Sequence, residues 1–187
     1  MSKLNQSLHL LAAFLSLGAA IAVLTNAGLP ERADFSGFRN GGRPAVAPES
    51  GWPAPPFALL TPSSQRLALK QARGAVTIIN FWASWCEPCQ REMRELQALY
   101  EMHADDLRIL AVNVGESAQA IRDWVAHLGL KFDILLDERG AVSNLYQVRG
   151  LPTTFVLDKD HVIRRVHYGP VRLGSLQREL ARFGRKA

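Results

Sequence analysis

The chain has 187 residues, 48% hydrophobic and 21% charged, which suits one globular domain with residues to spare and excludes an intrinsically disordered protein. Its two cysteines permit at most one intrachain bridge, which excludes a disulfide scaffold. The 22 Lys+Arg and 17 Asp+Glu leave a net charge of +5, but the basic residues are spread along the chain as solvated faces, not clustered with aromatics as a nucleic-acid site requires.

Near the N-terminus, Leu8 to Leu24 reads LHLLAAFLSLGAAIAVL. About 17 apolar residues just reach the length at which a helix crosses a bilayer. The competing reading is a secretory signal, with Thr25-Asn26-Ala27 as a weak small-residue cleavage site. With no amphipathic period, a soluble core helix fits poorly, and an uncleaved anchor is preferred. Only Lys3 precedes the stretch while Arg32, Arg39 and Arg43 follow, so local charge does not place the N-terminus in the cytoplasm. Between Asn26 and Pro56 the composition turns to Gly, Pro, Ala and charge without periodicity. The expected organisation is an anchor or signal peptide at 1–27, a Pro/Gly-rich tether at 28–51 and a folded domain at 52–187. As a flexible coil of about 25 residues the tether spans roughly 25–30 Å.

Within the domain, Phe57 to Leu60 reads as a short strand and Ala75 to Phe81, rich in β-branched residues, as a buried central strand. Glu87 to His103 follows as a helix with Met93, Leu96, Leu99 and Tyr100 on one face. Leu107 to Val114 is a second buried strand. Ser117 to Leu128 is a second helix, N-capped by Ser117, with Ile121, Trp124, Val125 and Leu128 on its apolar side. Strands are expected at Phe132–Leu136, Thr153–Leu157 and Val162–Tyr168, and a last helix buries Leu173, Leu176, Leu180 and Phe183. The order β-α-β-α-β, then two strands and a helix, predicts an α/β domain with a parallel and an antiparallel half to its sheet.

Both cysteines lie in Trp85-Cys86-Glu87-Pro88-Cys89, at the start of the first long helix. Haem attachment requires His after the second Cys, where this chain has Gln90. Structural zinc requires four ligands, and there is no second pair and no ligand-like spacing among the histidines, so no metal is expected. Dithiol–disulfide exchange remains, with no cofactor beyond the Cys86–Cys89 pair. Cys86, at the helix N-terminus, faces unpaired N–H groups and the positive end of the dipole, which stabilise its thiolate and make it the nucleophile. Cys89 lies one turn further in and resolves the mixed disulfide. Pro88 suits the first helical turn and is expected, with Glu87, to tune the redox character of the pair. Glu87 is expected to tune the pair, its negative charge disfavouring the thiolate and pushing towards reducing character. Trp85 is expected on the partner-facing surface and Trp82 in the core.

With Phe-Trp-Ala-Ser-Trp-Cys-Glu-Pro-Cys ending at Cys89, the chain from about Pro53 onward resembles the thioredoxin-fold proteins. The fold implied is a central mixed sheet flanked by helices, here preceded by the transmembrane or signal segment. The stretch Asp137 to Phe155 shares the resemblance, and Pro152 falls where such proteins carry a cis-proline beside the dithiol. That implies a substrate-binding surface of Trp85, Leu151 and Pro152, where an extended peptide pairs with backbone groups. The anchor with its tether, Asn80-Phe81-Trp82 and Glu92 resemble the membrane-anchored TlpA/ResA type. Asn80 stands where cytosolic thioredoxins place a buried Asp that accepts the resolving cysteine's proton. The resemblance implies that Glu92, three residues after Cys89, takes over that role; the alternative is a solvated Glu on an exposed face. The type commonly has Pro two residues after that Glu, and this chain has Arg94, so a lost kink would move Glu92 relative to the sulfurs.

The activity implied is that of an exported, membrane-tethered protein disulfide reductase. Its expected partners are disulfide-bearing proteins (apocytochrome c or copper-site proteins) and a membrane thiol electron donor, with no nucleic acid. Its expected location is the bacterial inner membrane with the domain in the periplasm, or the periplasm itself if the segment is cleaved. A disulfide oxidase or isomerase carries the same signature. A copper-binding assembly factor on this fold spaces its cysteines Cys-x-x-x-Cys and adds a His, which this chain lacks. A peroxiredoxin carries Pro and Thr where this chain has Ile79 and Ala83.

Overall fold

The structure, a computed structural model, describes residues 48–184. The anchor or signal at 1–27 and the tether up to residue 47 lie outside the described residues. Among those described, no helix is long and apolar enough to cross a membrane.

The strands are β1 (Ala58–Leu60), β2 (Arg66–Ala68), β3 (Val76–Trp82), β4 (Leu107–Val114), β5 (Asp133–Asp137), β6 (Thr153–Leu157) and β7 (Ile163–Tyr168). The helices are α1 (Glu87–His103), α2 (Ala118–Leu128), α3 (Ala141–Leu145) and α4 (Leu173–Phe183), with a 3-10 turn at Leu69–Ala72. One mixed sheet runs β2-β1-β5-β4-β3-β6-β7. Its centre, β5-β4-β3, is parallel, and antiparallel pairs flank it on both sides. The expected division into a parallel and an antiparallel half is therefore corrected. The reason is that β1 turns back through β2 and closes the far edge.

All seven residues of β3 are buried, as its β-branched run predicts, because it is covered on both faces. Its alternation divides the core. Ile78 and Trp82 join a cluster with α1, α2 and α4, while Ile79 and Phe81 join a second with Tyr146 of the turn after α3. Trp82 stacks on Trp124, ring centroids 4.7 Å apart, so its role is packing.

Helix α1 buries Cys89, Glu92, Met93, Leu96 and Leu99, one stripe at helical spacing. Helix α2 starts where Ser117 accepts the Ala120 N–H and ends at Gly129, whose φ of 61° is left-handed. Leu176 and Leu180 of α4 are buried, whereas Leu173 and Phe183, expected in the core, are only partly so. Two elements were not foreseen, β2 and α3. The carboxylate of Asp137 accepts the N–H groups of Val142 and Ser143 and so starts α3 from the end of β5.

Candidate functional site

Strand β3 ends at Trp82, and a short loop carries the chain into α1 at Cys86. Cys86 is the N-cap residue of α1, with φ −87° and ψ 99°, and its sulfur accepts the Cys89 N–H at 3.3 Å. A cysteine thus occupies the place usually held by Ser or Asp, and the helix N-terminus is directed at its sulfur. The two cysteines are joined as a disulfide. Cys86 keeps 5% exposure and Cys89 none, so the sulfur open to a partner is the first. Pro88 lies in the first turn as expected.

The loop is held by groups that sequence reasoning did not single out. Glu116, just beyond β4, accepts the Ser84 N–H at 2.7 Å, the Ser84 hydroxyl at 2.5 Å and Asn113 Nδ2 at 2.7 Å. Gln90 Nε2 donates to the Ser84 carbonyl at 2.6 Å, tying the loop back to α1. The one signal was a pair of polar residues, Asn113 and Glu116, at the C-terminal end of a buried parallel strand, where sites in α/β sheets gather.

Antiparallel register pairs Phe81 with Thr153, which sets Pro152 beside the end of β3 from which the dithiol loop springs. The Leu151–Pro152 peptide is cis. The Pro152 carbonyl accepts the Gly169 N–H at 2.9 Å, so it is not open to a substrate. Among the described residues the Leu151 backbone has no such partner. Trp85, beside Cys86, is 71% exposed, and Leu151 is half-buried. The Glu87 side chain is exposed and paired with Arg91 one turn on, so solvent and the guanidinium screen its charge.

Glu92 is 2% exposed, which excludes the solvated-face alternative. Helix α1 continues through Arg94 to His103, and Glu92 is buried without the proline. Its Oε2 accepts Asn80 Nδ2 at 3.0 Å; its Oε1 accepts the Thr154 hydroxyl at 3.2 Å and the Val171 N–H at 3.1 Å. Burial is the larger influence and pushes the carboxyl up to about 7, against the three hydrogen bonds that lower it. Thr154 and Val171 were also not foreseen, since only the β3–β6 register and the fold of the chain before α4 bring them to Glu92. Among the described residues no group of three or more His, Cys, Asp or Glu could hold a metal ion.

This chain matches the AhpC/TSA family over residues 50–166. It is 35% identical over 138 residues to the thioredoxin-like protein YneN of Bacillus subtilis (strain 168), a match covering 72% of this chain and 81% of that one. It is 36% identical over 131 residues to the thiol-disulfide oxidoreductase ResA of Geobacillus kaustophilus (strain HTA426), covering 70% and 75%. Its fold superposes on the crystal structure of StoA from Bacillus subtilis with a TM-score of 0.58 at 29% identity, covering 68% of this chain and 97% of that one.

Proposed function

From the premise that the chain belongs to the AhpC/TSA family and is a thiol–disulfide oxidoreductase of the ResA/StoA type, we propose that it works as a reductase of protein disulfides. The observation that carries the direction is Glu92, buried one turn beyond Cys89. A dithiol becomes oxidising when its reduced form is stabilised as thiolate. Buried one turn from the resolving cysteine, that carboxyl in its ionised form opposes a second negative charge there and favours electron donation.

In the proposed cycle the Cys86 thiolate attacks one sulfur of a substrate disulfide. The Cys86–substrate bond forms, the substrate S–S bond breaks, and the other substrate sulfur leaves as thiolate. Cys89 then gives its proton to the Glu92 carboxylate and attacks the Cys86 sulfur, releasing the second substrate thiolate. Two electrons have passed to the substrate, and the Cys86–Cys89 disulfide has formed. Trp85 and Leu151, beside Pro152, supply the surface on which the substrate lies. A membrane thiol donor returns two electrons to the disulfide. The apolar segment at 8–24 and the tether suit a domain held at the outer face of a bacterial inner membrane. There the substrates are cysteine pairs of apocytochrome c or copper-site proteins that must be reduced before haem or copper enters.

The test is the reduction potential of the full-length protein, by equilibration with glutathione. A value at or below roughly −220 mV is expected; one near about −120 mV would make the protein an oxidant and reverse the electron flow. Cys86→Ala is expected to abolish insulin reduction, and Cys89→Ala to accumulate mixed disulfides with the physiological substrates. A Cys89→Ala protein that traps nothing and reduces insulin normally would sink the mechanism.

A further inference from the structure

Asn80 and Thr154 are register partners on β3 and β6, and both are fully buried. Asn80 Nδ2 donates to two acceptors, Glu92 Oε2 at 3.0 Å and Thr154 Oγ1 at 2.8 Å. Both hydrogens of the amide are thereby used, while its Oδ1 is buried without a partner. An orphaned buried acceptor is unfavourable, so the amide faces this way because its donors meet a stronger demand on the other side.

The orientation of Asn80 settles that of Thr154. A hydroxyl has one hydrogen and two lone pairs. With one lone pair of Thr154 Oγ1 filled by Asn80, its hydrogen is directed at Glu92 Oε1, 3.2 Å away. We propose that Thr154 is a positioning residue of the dithiol site: oriented by Asn80, it donates its hydroxyl hydrogen to Glu92 and keeps that buried carboxyl, one helical turn from Cys89, able to release its proton. This rests on the proton-accepting role proposed for Glu92 and adds to it what makes that role workable. A carboxyl enclosed in a core stays neutral unless donors compensate for the lost water.

The groups facing Glu92 are few. Its own helix presents Cys89, titratable once reduced, and Glu95, whose charge opposes ionisation. The Glu95 carboxylate itself accepts the Leu173 N–H at the start of α4. Strand β3, strand β6 and the segment before α4 present only Asn80, Thr154 and the Val171 N–H, all uncharged donors. Thr154 is the one of the three that a side chain of the same shape can replace without its hydrogen.

The test follows the Glu92 carboxyl in the oxidised full-length protein by carbon NMR with labelled glutamate, its signal identified by its loss in Glu92→Gln. With the cysteines bonded, no thiol titrates. The wild type is expected to titrate near 7. Thr154→Val is expected to raise the midpoint by about one pH unit, tenfold in proton affinity, and Thr154→Ser to restore it. Coincident titrations of Thr154→Val and wild type would overturn the assignment, as would a Thr154→Ser midpoint that follows Val. If Glu92→Gln leaves the pH–rate profile of disulfide reduction unchanged, the role of Glu92 itself fails, and the NMR result separates the two failures.

Discussion

Glu92 is neutral in the folded, oxidised protein up to about pH 7 but titrates near 4.5 once the chain unfolds. Between those values the folded state holds a proton that the unfolded state lacks. The stabilisation is therefore full below about pH 4.5, is lost as pH rises through 7, and is absent above it. The span corresponds to roughly 2–3 kcal/mol between pH 5 and pH 8. Glu92→Gln removes the titration, so its stability relative to wild type should rise by about that amount over the same interval, read from urea midpoints of the oxidised proteins. A gap that stays constant with pH would show that the buried carboxyl is not what titrates. Glu87 gives the opposite case. Exposed and paired with Arg91, it should move the reduction potential by no more than about 10 mV when changed to Gln. A shift of several times that size would mean that its charge does reach the sulfurs.

At the scale of elements, α3 has no hydrophobic length to sustain it. Five residues, Ala-Val-Ser-Asn-Leu, depend on the Asp137 carboxylate for their first hydrogen bonds. Asp137→Ala should cost about 1–3 kcal/mol in urea unfolding, because two buried N–H groups lose their acceptor. The reduction potential should not change, since the Asp137 carboxylate is bonded to Val142 and Ser143 and to none of the groups named around the dithiol, while its backbone pairing with β4 is kept in the variant. The same dependence explains what the sequence conveyed. The long elements β3, β4, α1, α2 and α4 announce themselves by period, and their limits fall within a residue or two of expectation. Helix α3 and strand β2 are too short to carry a period; one depends on a carboxylate across a turn, the other on pairing with β1. The site divides likewise. Cys86, Cys89 and Pro88 are legible because helix-start chemistry is local, and Pro152 and Glu92 because a resemblance carries them. Thr154, Val171 and Glu116 are not, since each reaches the site through register or loop closure. The Glu87–Arg91 pair, one helical turn apart, is legible in the sequence, but the screening it brings is seen only once both side chains are placed at the surface.

At the scale of the molecule, the groups around the dithiol lie between Asn80 and Val171, yet the chain ahead of β1 fastens the sheet that carries them. Gly51 N–H donates to the Ile163 carbonyl at 2.7 Å, Ile163 N–H to that of Trp52 at 2.9 Å, and Ala54 N–H to that of His161 at 2.8 Å. The Tyr146 hydroxyl donates to the Pro55 carbonyl at 2.7 Å, locking the same segment over the second core cluster. The segment from Gly51 to Pro55 is thus a structural part of the domain, and it should separate stability from redox character. A protein cut before Pro48 keeps all four bonds. One cut before Phe57 loses them. At about 1 kcal/mol each it should be less stable by roughly 2–5 kcal/mol, with its potential, measured where it is still folded, within about 10 mV of the longer fragment. Equal stabilities would mean that this segment only lies against the domain. A potential that moved with the cut would mean that the sheet edge, and not the end of β3 alone, sets the geometry of the sulfurs.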